Sequence, residues 1–429
     1  MLTRIDLRGV DRDVRSRLPR PHDRETAPID AVREILAEVR KRGDAAVREY
    51  TQRFDGVALE DLRVEPAELA TALRATPPDV REALEVAKAN ITAFHHTQVR
   101  GDGRHERDGL VVQELRRAVD RAGLYVPGGR ARYPSTVLMT AIPARVAGVE
   151  QLVRCVPPDA NGHVAAVTLA AAELAGVDEV YAIGGAQAVA AMAYGTESIP
   201  AVDVIVGPGN VWVATAKREV AAEGAVGVPS AFTGPSEVVV VADETTPPAL
   251  AAIDLIVQAE HGPDGLAWLV TWSVATADAV TGEVARRVTA SPRRADIEST
   301  LTGNGYAVVV DGPEQAMTVA NLIAPEHLQL MSADPEALVP LVRNAGAVFC
   351  GPYAPASVGD YVAGPSHVLP TFGSARFASA LRVDDFLKQL HVVTVDEGAL
   401  ARLAPHVAAI AEAEGLVHHA ESVRLRSER

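Results

Sequence analysis

Apolar positions along this chain follow two alternating patterns: short Val- and Ile-rich runs that suit buried strands, and longer stretches repeating every three to four residues that suit helices. From Ala27 the helical repeat leads, with Ile29, Val32, Ile35, Leu36 and Val39 on one face, a turn at Gly43-Asp44 and a second helix after it. Residues 1–23, which precede it, are polar and Arg-rich and read as an extended arm. Pro77-Pro78-Asp79 opens a further helix toward His95-His96. Neighbours on a helix point about 100° apart, so these two histidines read as surface residues and not as a metal pair. Residues 101–108 read as a charged, glycine-containing loop.

At Arg117 the register changes. Strands are predicted over 122–126, 151–156, 179–183 and 202–206, alternating with helices over 136–147, 165–174, 187–194 and 211–220. Glycine turns follow at Gly128-Gly129, Gly184-Gly185 and Gly207-Pro208-Gly209-Asn210. A second alternating region starts at Gly234-Pro235-Ser236, with strands over 238–242, 267–271, 306–310 and 347–350, a helix over 250–259 and a glycine-rich loop over 351–371. Such alternation describes doubly wound parallel sheets, whose ligands bind beyond the carboxyl ends of the strands. Residues 397–426 read as almost continuous helix, rich in Ala and Glu, with little core of its own.

Composition narrows the class. A chain of 429 residues exceeds one compact core, so two sizeable domains are expected. Hydrophobic residues make up 48% and aromatics only 4%, which suits helices packed closely on a Val-rich sheet, as in an α/β enzyme. The charge sum, 41 minus 56 or −15, is spread along the chain and disfavours nucleic acid or an anionic membrane as partner. No apolar run approaches the roughly 18 residues of a membrane span. Residues 1–20 lack the apolar core of a signal peptide, so the expected location is the cytoplasm. The two cysteines, Cys155 and Cys350, suit reduced buried thiols better than a disulfide.

Candidate chemistry concentrates at Ala324-Pro325-Glu326-His327-Leu328, where an acid and an imidazole stand side by side. The proline biases Ala324 toward an extended conformation, so the pair is expected to start a helix or to sit in the turn before one. Imidazole has an ordinary pKa of about 6.5 and burial can raise a Glu toward it, so both could act as bases near neutral pH. A capping Glu beside a surface His is the competing reading. The glycine turns could admit a dinucleotide pyrophosphate, but GPGNVW carries Trp212 where the fingerprint's third glycine belongs, and ordinary turns explain them as well. A metal could draw on His261, three residues after Gln258 on one side of a helix end, and on Asp360 in the loop SVGDYVAGPSHV. Glu414, His418 and His419 offer further donors, and helical spacing pairs Glu414 with His418 while turning His419 away. Cys350 has no basic neighbour to lower its pKa and reads as a structural thiol, not a nucleophile.

In chain order, the stretches GLYVPGGRARYPSTVLMTAIPA, YAIGGAQAVAAMAYGT, VDVIVGPGNVWVATAKREV, GPSEVVVVAD, DLIVQAEHGPDG, NLIAPEHLQL, SVGDYVAGPSHVLPT and EAEGLVHH closely resemble the histidinol dehydrogenase family over nearly the whole chain. The resemblance implies oxidation of L-histidinol to L-histidine with two NAD and one zinc ion (Zn2+) per subunit. It also implies two doubly wound, incomplete Rossmann-like domains, an N-terminal arm and a dimer-exchanged C-terminal helical segment. In that scheme residues 1–23 form the arm, 24–124 with 236–380 carry the catalytic and metal residues, 125–235 bind NAD, and 381–429 complete the site of the partner in a homodimer. Zinc ligands then fall on Gln258, His261, Asp360 and His419, with family spacing selecting His419 over His418. Substrate contacts fall on Ser236, Gln258, His261, Glu326, His327, Asp360, Glu414 and His419, and NAD contacts on Tyr125, Gln187 and Asn210. His327 would serve as general base and Glu326 would activate water. The family usually carries Glu at the position of Ala356 and Asn at that of Ser366, which bears on loop packing. Competing readings are a relative that oxidises another small diol, for example a sulfonated one, a zinc hydrolase without NAD, and a non-enzymatic binding protein.

Overall fold

The computed structural model describes residues 1–10, 13–19, 27–128, 132–229, 236–260 and 265–427. Its strands are β1 (Thr3–Asp6), β2 (Gly103–Arg107), β3 (Leu110–Ala118), β4 (Arg121–Tyr125), β5 (Gln151–Cys155), β6 (Glu179–Tyr181), β7 (Val204–Val206), β8 (Glu237–Ala242), β9 (Leu266–Thr271), β10 (Gly305–Val309), β11 (His327–Met331), β12 (Ala347–Cys350) and β13 (Leu387–Val395). Helices separate nearly all the parallel strands, as the alternation predicts.

A four-stranded parallel sheet runs β6-β5-β4-β7, which is third, second, first, fourth in its own chain order and forms half of a doubly wound nucleotide-binding sheet. The six-stranded parallel sheet repeats that order in β10-β9-β8-β11, continues to β12, and takes β1 at its far edge. The first residues of the expected arm are therefore an edge strand, because even a polar segment satisfies its backbone by pairing with Tyr306–Val309 on one side. Likewise, part of the expected loop at 101–108 is strand β2, fully exposed and charged as an edge strand can be, in an antiparallel sheet with β3 and β13.

Both parallel sheets are covered on two faces, which explains why their strands are unbroken apolar runs. All six residues of β8 and of β9 are buried. Helix Ile29–Arg42 buries Val32, Ile35, Leu36 and Val39 as its repeat predicts. It shares a core with Tyr125, Val153 and Tyr181 of the four-stranded sheet. The opposite face of that sheet, with Leu124 and Leu152, receives Leu69, Leu84 and Ile91 from helices Pro66–Ala75 and Pro78–His96. The helices between residues 29 and 96 thus pack on the four-stranded sheet, not on the six-stranded one with which the expected grouping placed them. In the last of them Leu84, Ala87, Ile91 and His95 form the buried stripe, so His95 is fully buried with Nδ1 2.8 Å from the Ile91 carbonyl, while His96 alone faces outward.

The carboxyl-terminal stretch is two helices, Glu397–Ala413 and Val417–Ser427, broken by Gly415 at a φ of 76°. Their own core amounts to Ala408, Ala411 and Ala420, while Ile410, Val417 and Leu425 stay exposed. Cys155 is buried and Cys350 half-buried, and both are free thiols. No described helix is long and apolar enough to cross a membrane.

Trp268 of β9 is buried and stacks on Tyr306 of β10 at a centroid distance of 4.2 Å, with its indole N–H unpaired. Trp268→Ala should lower the unfolding free energy by about 3–5 kcal/mol. Trp268→Phe keeps an aromatic stack and removes the orphan donor, so it should cost much less; urea unfolding followed by circular dichroism compares the two, and equal losses would show that the stack does not join β9 to β10.

Candidate active site

Helix Pro313–Ile323 closes at Ala324, whose φ of 53° is left-handed, with its N–H bonded to the Ala320 carbonyl. Pro325 bars Ala324 from the right-handed helical region, and a left-handed residue is a common way to end a helix. The chain then turns straight into β11, so Glu326 and His327 open a strand. Both expectations for this stretch, an extended Ala324 and a helix beginning at the pair, are replaced by that turn.

Register places His327 beside Val238 of β8 and Ala347 of β12. The pair therefore stands at the amino edge of its sheet, opposite to the carboxyl-edge rule that the alternation suggested. One Glu326 carboxylate oxygen, Oε2, accepts from the Glu237 N–H at 3.1 Å, and the carboxylate also accepts from the Ser236 hydroxyl. Burial pushes the Glu326 pKa up, opposed by the nearby imidazole. His327 Nδ1 lies 3.3 Å from the Glu237 carbonyl and 3.6 Å from Glu326 Oε2, and Nε2 lies 3.4 Å from Asp360 Oδ1. Burial alone would lower the imidazole pKa, but the charges of Glu326 and Asp360 overcome it and hold His327 up to about 9. The ring stacks on Phe349 at 5.9 Å. A Cβ on Gly359 would meet Phe349 at 2.4 Å, so glycine lets the short helix Ala356–Tyr361 press Asp360 toward the imidazole.

A hydrogen-bonded chain leads from here to the other sheet. His367 Nδ1 donates to the Asp360 carbonyl at 2.7 Å, which leaves Nε2 to accept from the Thr136 hydroxyl at 3.0 Å. Thr136 lies in the first turn of helix Pro134–Ala147, just past the carboxyl end of β4. Ser366 donates to the Met139 carbonyl at 3.1 Å and ties the same loop to the same helix. The amino edge of the six-stranded sheet thereby meets the carboxyl edge of the four-stranded one.

At that carboxyl edge Tyr125 ends β4, buried, and its hydroxyl accepts from the Gly185 N–H at 3.1 Å. Gln187 is 1% exposed, and neither its amide oxygen nor its amide nitrogen has a partner. An unpaired buried amide is costly, so the pair of orphan atoms suits the polar edge of a ligand. Asn210 is exposed and caps helix Val211–Ala222, accepting from the N–H groups of Trp212 and Val213. Gly207 has a φ of 106°, and a Cβ there would lie 2.0 Å from the Tyr125 carbonyl oxygen, so only glycine lets the turn lie against β4. Tyr125 and residues 207–210 flank the gap between β4 and β7, where strand order reverses and a helix N-terminus favours anionic ligands. These features fit a dinucleotide.

The candidate metal donors are divided. Gln258 is buried near the end of helix Pro248–Ala259, which returns to the amino edge where His327 stands, and Asp360 touches His327. His261 lies outside the described residues. Glu414 closes the first C-terminal helix and His419 belongs to the second, both exposed, so the helical face that would pair Glu414 with His418 does not exist. His418 instead meets Glu421 at 3.0 Å. Among the described residues no three His, Cys, Asp or Glu side chains converge as a metal set. Amide oxygen, carboxylate and imidazole are nonetheless donors that suit zinc.

Ser236, Glu326, His327 and Asp360 are brought together as predicted residues; Glu237, Phe349, Thr136 and His367 join them unpredicted. Glu237 is buried, its carboxylate accepting from the N–H groups of Phe372 and Gly373, and burial with the charge of Glu326 pushes it up to about 8. Its only signal in the sequence is a charge opening the apolar run EVVVVA.

A family model described as histidinol dehydrogenase matches residues 18–427. The histidinol dehydrogenase of Synechococcus sp. is 49% identical over 413 residues, spanning 95% of this chain and 94% of its own. That of Pseudomonas aeruginosa is 48% identical over 399 residues, spanning 92% and 90%. A crystal structure of histidinol dehydrogenase from Elizabethkingia anophelis superposes with a TM-score of 0.94 at 33% identity, covering 100% of this chain and 98% of that one. The sheet order, the buried acid-imidazole pair and this similarity along the whole chain agree: the chain belongs to the histidinol dehydrogenase family of oxidoreductases.

Proposed function

We propose that this chain oxidises L-histidinol to L-histidine in two NAD-dependent steps at one site, the last reaction of histidine biosynthesis. The observation that carries the reading is the buried Glu326–His327 pair facing, through Asp360, His367 and Thr136, the edge that carries Tyr125, Gln187 and Asn210. Those three residues would hold NAD, the hydride acceptor, while Gln258, His261, Asp360 and His419 of the partner subunit would hold a zinc ion that orients the substrate's amino and imidazole nitrogens. Exposed Ile410 and Val417 beside Glu414 and His419 support an exchanged segment in a homodimer with shared sites.

His327 takes the hydroxyl proton as the alcohol is oxidised. For that it must be neutral, and a cation bound at Asp360 offsets one of the two charges that hold its pKa up. Glu326, raised by burial, removes a proton from the water that attacks the aldehyde, and His327 acts again as the hydrate is oxidised. Ser236 and the Glu237 N–H fix the carboxylate of Glu326 for that role. Holding one substrate through both steps in a buried site keeps the aldehyde from solvent.

Zinc-loaded protein given L-histidinol should form NADH in a ratio near two per substrate consumed, and a chelator should abolish it; a ratio near one would mean that oxidation stops at the aldehyde or that the substrate is a different alcohol. His327→Asn should slow histidinol oxidation by about 10²–10⁴. Glu326→Gln should chiefly impair turnover of supplied L-histidinaldehyde, and unchanged aldehyde turnover would refute its role with water. In zinc-free protein, nitrogen NMR should show His327 titrating near 9, and lower in Asp360→Asn. Because the folded value exceeds the unfolded one of about 6.5, the stabilisation from this ion group is complete at lower pH and disappears as pH rises through 9.

A further inference from the structure

Lys217 is fully buried, and the Gly207 carbonyl accepts a hydrogen bond from its ammonium. It stands seven residues beyond Asn210, two turns along helix Val211–Ala222, and so lies on the same side as the cap. Among the described residues no carboxylate acts on it: burial pushes its pKa down to about 7. A site that needed only volume would be filled better by an apolar side chain, since a buried amine without a countercharge is costly. The acceptor it reaches opens the turn that leads to Asn210. That turn also lies against the backbone of Tyr125, the second expected dinucleotide contact.

We propose that Lys217 is a positioning residue for the dinucleotide, a strut from the second turn of its helix to the Gly207 carbonyl that fixes the turn between Tyr125 and Asn210. The inference rests on the NAD reading above and adds to it a residue that makes no contact with the cofactor. Pulling the Gly207 carbonyl inward holds the 207–210 turn in the shape in which Gly207 packs on β4, Asn210 caps the helix and the helix N-terminus stays open toward a phosphate. Without the strut the turn has more conformations to lose on binding, and the cost falls on NAD and not on the histidinol half of the site.

The test compares the full-length zinc-loaded protein with Lys217→Met, which keeps the stem and removes the donor, and with Lys217→Gln as a second variant that keeps a shorter donor. Calorimetric titration should show NAD binding weakened about tenfold in Lys217→Met, less in Lys217→Gln. L-histidinol affinity and kcat at saturating NAD should stay near those of the parent, so that the effect appears in the KM for NAD. Unchanged NAD affinity would overturn the proposal, and so would a parallel loss of affinity for both ligands with a lowered melting temperature, which is what a merely structural lysine would give. If the unsubstituted protein itself fails to bind NAD, the cofactor reading falls and the strut with it, an outcome distinct from failure in the variants alone.

Discussion

The Glu326 carboxylate and the His327 imidazole are held against one another out of water, with the half-buried Asp360 carboxylate on the far side of the ring, and that burial is what the surrounding structure supports. Charges in such a place are stable only when paired and hydrogen-bonded. Glu326 has the Glu237 N–H and the Ser236 hydroxyl, and His327 has a carboxylate near each ring nitrogen. The backbone supplies the rest of the cage. The left-handed Ala324 turns the chain into β11 at the required point, and burial beside the charge of Glu326 raises Glu237 to about 8, against the pull of the Phe372 and Gly373 N–H groups, so that it does not add a third charge at neutral pH. The raised pKa values have two origins: burial lifts Glu326 and Glu237, the latter also through the charge of Glu326, whereas burial alone would lower His327, which the charges of Glu326 and Asp360 hold up instead.

The same cage sets how the two sheets meet. Each parallel sheet has a switch point, but the candidate groups lie at opposite ends, Tyr125 at the carboxyl edge of the four-stranded sheet and His327 at the amino edge of the six-stranded one. The loop after β12 joins them, carrying Asp360 to His327 and His367 to Thr136, with Ser366 on Met139 as a second tie. The acid-base pair and the proposed dinucleotide crevice are thereby brought together although they belong to different cores. The proposed Lys217 strut plays a comparable part on the dinucleotide side, holding one turn so that two contacts from separate elements stay in register.

Local signals foretold the elements well wherever burial and period coincide. The stripe from Val32 to Val39 and the runs that became β4, β5, β8 and β9 needed no tertiary information, because a two-faced sheet demands continuous apolar strands. Failures came where pairing or packing outweighed composition. Thr3–Asp6 and Gly103–Arg107 are polar and still strands, since an edge position asks only for backbone partners. His95 is buried because it continues a stripe at four-residue spacing, while the single Gly415 broke the C-terminal helix and with it the pairing of Glu414 and His418.

By itself the sequence determined the fold class, the strand-helix alternation from β4 to β9, the family, and Glu326-His327 as the place to look for proton transfer. Those follow from periodicity, turn chemistry and motif, all of which are local in the chain. Tertiary structure alone decided that the pair opens a strand at an amino edge, that Glu237 lies beside it, that Asp360 and His367 link it to Thr136, and that Lys217 is buried beneath the Gly207 turn. These are contacts between residues far apart in sequence, and the free energy of burying a charge depends on what the fold places around it, which no local pattern records.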